Sequence, residues 1–279
     1  MELFRKNPKV SVLACFGFSI LTALLQSLAY LLSYDAPEAN YFSSLLLPAL
    51  AFASAALGLV CIALTALSYP KGTLPAPEGL SCRKLTAAVA AAGYLAGSVC
   101  LLLSEDEPLA IVAAALAVLS AVYHVSTAVL PARLSWISVL LGTAPVVAGI
   151  LFCAVYYFDN HLEMNAPLKT SAIAALLLVS VMTTGDLRIL LGKATPRLYA
   201  VTAAALLGIG ALVAIPVPLA FLTGLFERTV EIKTHLPLEN KFMHATYLAV
   251  APILLGAMFS AAIHLYSLFH HANQGGSEE

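Results

Sequence analysis

PLAIVAAALAVLSAVYHVSTAVL, residues 108–130, is a run of 23 residues in which only His124 can carry charge near neutral pH. Glu105-Asp106-Glu107 precedes it and Pro131-Ala132-Arg133 follows it. A hydrocarbon core of about 30 Å is crossed by roughly 20 mostly apolar residues in a helix. This stretch therefore has the length of one membrane span, with acid at one mouth and a cation at the other.

The rest of the chain repeats that pattern. Apolar runs bounded by charge or by Pro/Gly clusters fall at about 10–33, 41–69, 84–104, 108–130, 134–158, 168–190, 198–226 and 242–269. The expectation is an all-α integral membrane protein, a bundle of about eight transmembrane helices forming a single polytopic domain over 1–279. Composition agrees. Apolar residues make up 61% and charged residues 10%, against roughly 45–50% and about 25% in soluble domains. Mean hydropathy is +0.91. A net charge of −1 offers no basic footprint for nucleic acid.

The positions of the charges orient the bundle, because Lys and Arg in short loops are retained in the cytoplasm. Arg5, Lys6 and Lys9 precede the first span; Lys71, Arg83 and Lys84 follow the second. Arg133 follows the fourth, and Arg188, Lys193 and Arg197 cluster around the end of the sixth. Alternate loops are acidic: Asp35 and Glu38, then Glu105 to Glu107, then Asp159 and Glu163. This alternation survives only an even count of spans, and places both termini in the cytoplasm of a cell-membrane protein. Ser27-Leu28-Ala29 has the small residues of a signal-peptidase site, but the run Val10–Leu32 exceeds the usual 7–15-residue apolar core of a signal peptide. An uncleaved first span is the better reading.

In lipid, helices associate through close backbone approach at small residues. Gly93-x-x-x-Gly97 and Gly256-x-x-x-Ser260 fit that pattern, as does the alanine run of span four. Pro145 in span five, Pro216 and Pro218 in span seven and Pro252 in span eight each delete a helix hydrogen bond. Together with Gly208 and Gly210, the prolines of span seven read as a kink, with a broken helix lining a substrate path as the alternative. Tyr34-Asp35 with Glu38 and Asn40 is faintly echoed by Phe158-Asp159 with Glu163 and Asn165, a weak sign of a four-plus-four duplication.

Ionisable groups inside lipid are costly and so mark candidate sites. His124, Asp186, Arg188 and His264 fall at similar depth and form the candidate polar cluster. It is a candidate proton-coupled gate, since His changes charge near neutral pH. Alternatively, His124 and His264 are candidate axial ligands of a haem. Against a shared function, Asp186 and Arg188 are two apart and face different ways on a helix. The plainer reading makes them interfacial residues and the histidines hydrogen-bond partners of neighbouring helices. Tyr157, Asp159, His161, Glu163 and Asn165 concentrate in one loop, either as the outer mouth of a cavity or as ordinary interfacial anchors.

No H-E-x-x-H, G-x-S-x-G, phosphate-binding loop or dinucleotide fingerprint occurs, and no cysteine pair has metal-ligand spacing. No catalytic residue, metal or cofactor is assigned. The expected partners are the bilayer itself and a membrane-protein partner or second copy. The best functional expectation is a small-molecule transporter or the membrane subunit of a larger complex. The rivals are an intramembrane enzyme or redox protein and a non-catalytic sensor.

Overall fold

The computed structural model describes residues 7–35, 41–69, 83–104, 107–129, 136–158, 166–191, 193, 195–222 and 245–274. These form α1 (Pro8–Ser33), α2 (Leu46–Ser68), α3 (Arg83–Ser104), α4 (Pro108–Val129) and α5 (Trp136–Phe158). The chain continues through α6 (Pro167–Leu190), α7 (Pro196–Ala211), α8 (Pro216–Leu222), α9 (Ala245–Leu248) and α10 (Val250–Gln274). Eight segments are long and apolar enough to cross a membrane, with α7 and α8 together forming the seventh. Five helices begin at a proline. The ring fixes φ near the helical value, and the missing N–H is one that a first-turn residue would leave unpaired anyway.

Two spans are shorter than their apolar runs. The run from Tyr41 starts with a two-residue strand, Tyr41–Phe42, paired antiparallel with Tyr34–Asp35, and helix α2 begins only at Leu46. The last run is divided at Ala249, between α9 and α10. There Pro252 cannot donate to the carbonyl four residues back, Leu248.

The packing is small inside and large outside. On α4 the buried face is Ala110, Ala113, Ala114, Ala117 and Ala121, a stripe at helical spacing. Leu13, Leu32, Leu103 and many other large apolar side chains point outward and remain exposed. Water would penalise such a surface, whereas lipid does not, and tight helix contact then depends on small residues. The two glycine motifs meet in one such contact. A Cβ at Gly93 would strike the carbonyl oxygen of Pro252, and one at Gly97 would lie 2.7 Å from that of Ala249. Across the same α3–α10 seam, Gly256 faces Val89 and Ala90, and Ser260 donates to the Thr86 carbonyl at 3.4 Å.

Hydroxyls elsewhere satisfy themselves within lipid by donating back along their own helix, as Ser19 to Cys15, Ser27 to Ala23 and Thr183 to Val179. A few also cross between helices. Thr65 Oγ1 and Ser11 Oγ are 2.7 Å apart between α2 and α1, and Ser54 donates to Phe18 O at 2.9 Å.

α7 is the central element, touching α1, α2, α6 and α10. It also ends inside the bundle. The sequence favoured a kink with a broken helix as the alternative; the structure has one apolar span, Pro196–Leu222, with a tight turn between α7 and α8. Residues 212–215 form a tight turn in which Gly210 O accepts from both Val213 N and Ala214 N, at 3.1 and 2.8 Å. Helix resumes at Pro216. Pro216 and Pro218 have no N–H to offer Leu212 and Ala214, so two rungs are missing, while Val217 N still donates to Val213 O at 3.1 Å and Leu219 N to Ile215 O at 3.2 Å. Leu212, Val213 and Ala214 are all buried, so the break lies within protein, where lipid does not reach it.

Candidate functional site

The turn between α6 and α7 brings two polar residues face to face. Asp186 lies one turn before the end of α6, and Tyr199 lies in the first turn of α7. Tyr199 Oη donates to Asp186 Oδ1 at 2.8 Å. The same hydroxyl is 2.5 Å from His264 Nδ1 on α10, and His264 Nδ1 lies 3.8 Å from Asp186 Oδ1. A tyrosine hydroxyl has one proton. Having given it to Asp186, it accepts from the N–H of His264 Nδ1.

Three helices thus contribute one residue each to a hydrogen-bonded chain, His264–Tyr199–Asp186. Its protons can point either way. In one state His264 is an imidazolium, protonated on both ring nitrogens, and both bonds donate toward an ionised Asp186. In the other a protonated Asp186 donates to Tyr199, which donates to a bare Nδ1. Interconversion carries one proton's worth of charge between histidine and carboxylate while Tyr199 stays neutral throughout. The side chain of Asp186 remains 29% exposed and that of His264 12%, so the carboxylate is the more accessible end.

His124 stands apart from this chain. Its ring stacks on Tyr94 of α3 at 5.5 Å, with an interplanar angle of 22°, and meets the edge of Tyr123 at 5.2 Å. Tyr94 is buried, and its hydroxyl has no hydrogen-bond partner among the described residues. The ring contacts of His124 are thus with Tyr94 and Tyr123 and not with the relay. Arg188 points elsewhere: it is exposed on the outer side of α6, its Nε 3.4 Å from the Lys193 carbonyl. Of the four residues of the candidate cluster, the structure joins Asp186 and His264 through Tyr199, sets His124 against Tyr94 and turns Arg188 outward.

The remaining candidates divide by position. Gly208 and Gly210 lie on the last turns of α7, against Ala55 and Met258 respectively, and Pro216 and Pro218 open α8. Pro145 sits inside α5. At the end of the bundle away from the termini, Tyr157 is exposed, with Phe158 edge-on at 5.3 Å. Asp159, His161, Glu163 and Asn165 lie outside the described residues, as does the segment 227–241. That end is filled by aromatics: Tyr156 stacks on Tyr247 at 4.9 Å, and Tyr30 packs on Phe42 at 5.2 Å.

Sequence reasoning passed over Tyr94, Tyr199 and Lys169. The two tyrosines carry no charge and so did not register as intramembrane polar groups. Lys169 lies in the first turn of α6 with its side chain buried. Among the described residues no three of His, Cys, Asp and Glu converge as a metal would require. No protein-family model matches the chain, and no curated protein or solved structure matches it either.

Proposed function

We propose that this chain is a proton-coupled transporter of a small molecule, residing in the cell membrane with both termini in the cytoplasm. The observation that carries the reading is the bridge of Tyr199 Oη between Asp186 and His264. A buried chain able to hold a proton at either end is what coupling requires, and ionisable groups at membrane depth are retained for such roles.

The placement of Tyr199 supports the assignment. It begins α7, whose other end is the interruption at 212–215. One rigid helix therefore links the relay to a broken-helix region of the kind that lines substrate paths. Reorienting α7 would alter the Tyr199 hydrogen bonds and the break together. The aromatic closure at the far end, with Asp186 partly exposed near the end that carries both termini, supports a state open toward that end. The distribution of Lys and Arg supports assigning that end to the cytoplasm.

The test is charge movement on a solid-supported membrane carrying the reconstituted full chain. Pools of amino acids, sugars, nucleosides and organic ions would be pulsed at pH 6 and pH 7.5. At least one pool should give a pH-dependent current in the wild type, and Asp186→Asn should remove it while the protein still elutes as one folded species. An unchanged current in the variant would take Asp186 out of the mechanism. Silence from every pool with folded wild type would end the transporter reading.

A further inference from the structure

A second feature lies on the outside of the α6–α7 hairpin, separated from the relay by the Tyr199 ring. A trough of about 150 Å³ runs between the two helices, lined among others by Val181, Gly185 and Arg188 of α6 and by Leu198, Tyr199 and Thr202 of α7. Gly185 creates its depth. A Cβ there would lie 3.0 Å from the Tyr199 ring, so a larger residue would close the floor. Val181 and Leu198 are about half exposed along the rims, which opens the trough sideways toward lipid. A pocket for a drug-sized ligand measures roughly 300–1,000 Å³. The trough is too small for that and suits a stretch of one acyl chain.

Its charge is one-sided. Arg188 stands in the lining near the end of α6, and no acidic residue lines the trough among the described residues. Lys193 is exposed in the connecting turn. Arg197, in the first turn of α7, has a buried Nε without a hydrogen-bond partner. The nearest carboxylate, Asp186, is turned inward onto Tyr199, and His264 faces inward with it. Among the described residues Arg188 is thus the one cation in the lining, at the end of an apolar trough and near the end of its span, with Lys193 and Arg197 in the adjoining turn and first helical turn. Guanidinium binds phosphate oxygens through paired N–H donors.

We propose that this trough is a binding site for an anionic phospholipid, with one acyl chain between α6 and α7 and the headgroup phosphate on Arg188. The site does not depend on the transport reading. Its position does imply a consequence, because the bound chain would pack on the outer face of the Tyr199 ring and so stiffen the residue that bridges the relay.

The test is native mass spectrometry of the full chain released from vesicles of equal parts phosphatidylglycerol and phosphatidylcholine with identical acyl chains. The wild type should retain one phosphatidylglycerol in at least about fivefold preference over phosphatidylcholine. A single cation near an anionic surface contributes on this order. Arg188→Gln should erase the preference, and Arg188→Lys, which keeps the charge without the paired donors, should restore part of it. Thr184→Trp, at an exposed position of the lining, should block retention of both lipids without lowering the thermal midpoint. Equal retention of the two lipids by the wild type would mean annular lipid only, and would overturn the proposal. So would an unchanged preference in Arg188→Gln. Displacement of the lipid by inorganic phosphate alone would show a simple anion site in place of a lipid site.

Discussion

Asp186 and His264 lie 3.8 Å apart, oxygen to nitrogen, and communicate through a third residue: Tyr199 Oη is within 2.8 Å of the first and 2.5 Å of the second. The hydroxyl is the only part of Tyr199 that the relay needs. Tyr199→Phe keeps the ring, its packing beneath Gly185 and its contact with His264. Proton-coupled uptake should fall by about a hundredfold, the lower range for loss of a positioned proton-transfer group. Stability should fall by only about 1–3 kcal/mol, the cost of leaving buried partners unpaired. Uptake kinetics in proteoliposomes and thermal unfolding in detergent separate the two effects. Full activity in Tyr199→Phe would show that the hydroxyl is a structural bridge.

His264 offers a complementary separation. Its Nδ1 donates to Tyr199 in the arrangement described, and the side-chain amide of asparagine can place an N–H near the same point without ever becoming a cation. His264→Asn should therefore keep the wild-type thermal midpoint to within a few degrees while flattening the pH dependence of uptake. His264→Ala should lose both. If both variants retain a wild-type pH profile, the proton is held elsewhere.

The α3–α10 seam makes a prediction about packing alone. Gly93 and Gly97 leave no room for a methyl group against the carbonyls of Pro252 and Ala249. Backbone cannot swing aside as a side chain can, so Gly93→Ala and Gly97→Ala should each destabilise by about 1–3 kcal/mol, the usual cost of overpacking. Gly17 in the middle of α1 is the control, because nothing lies within 4 Å of its added Cβ. Gly17→Ala should be neutral or stabilising by up to about 1 kcal/mol, through helix propensity. Denaturant unfolding in mixed micelles would rank the three. Equal stability of Gly93→Ala and Gly17→Ala would mean that the seam is looser than its geometry.

Much of this arrangement could be read before any coordinates. Span lengths follow from apolar runs. The start of a helix at Pro108, Pro167 or Pro196 follows from proline's fit to the first turn. The Gly93/Gly97 and Gly256/Ser260 motifs correctly marked contact faces, although only the structure shows that they face each other. Even the Asp186–Tyr199 pair was accessible in principle. A tight turn between α6 and α7 makes residues equidistant from it meet, and these two stand seven and six residues from Lys193. Intramembrane charge does not mark the pair, because tyrosine is polar only at its tip. His264 joins them for a reason that local sequence does not carry. Its place depends on which helix α10 packs against and on its rotation there. The burial of Lys169 is hidden for a related reason, since nearness to the end of a span does not say which way a side chain faces.

Thr65 and Ser11 test how much a hydroxyl pair contributes when water is excluded. Their oxygens are 2.7 Å apart, and Thr65 also donates to Cys61 O at 2.8 Å. Thr65 has one proton to divide between Ser11 Oγ and Cys61 O. The interhelical bond is then worth little more than the ~0.6 kcal/mol average for such bonds in membranes. A double-mutant cycle with Ser11→Ala and Thr65→Val should return a coupling of about that size. A coupling above about 2 kcal/mol would mean that Thr65 gives its proton to Ser11 instead.

The break in α7–α8 remains the feature with the largest dynamic consequence. Pro216 and Pro218 are the residues that deny donors to Leu212 and Ala214, while Gly210 takes up both neighbouring amides. Replacing both prolines by alanine supplies those donors and lets a continuous helix compete with the turn. The buried side chains of 212–214 resist that change, since straightening would reposition all of them within a close-packed interior. The double variant should therefore keep its fold and gain slow hydrogen exchange at the amides of positions 216 and 218. Its uptake should slow several-fold as the stiffer segment hinders reorientation of α7. Slow exchange with an unchanged rate would make the interruption a fixed structural turn, and motion of α7 would then have to arise at its other end, beside Tyr199.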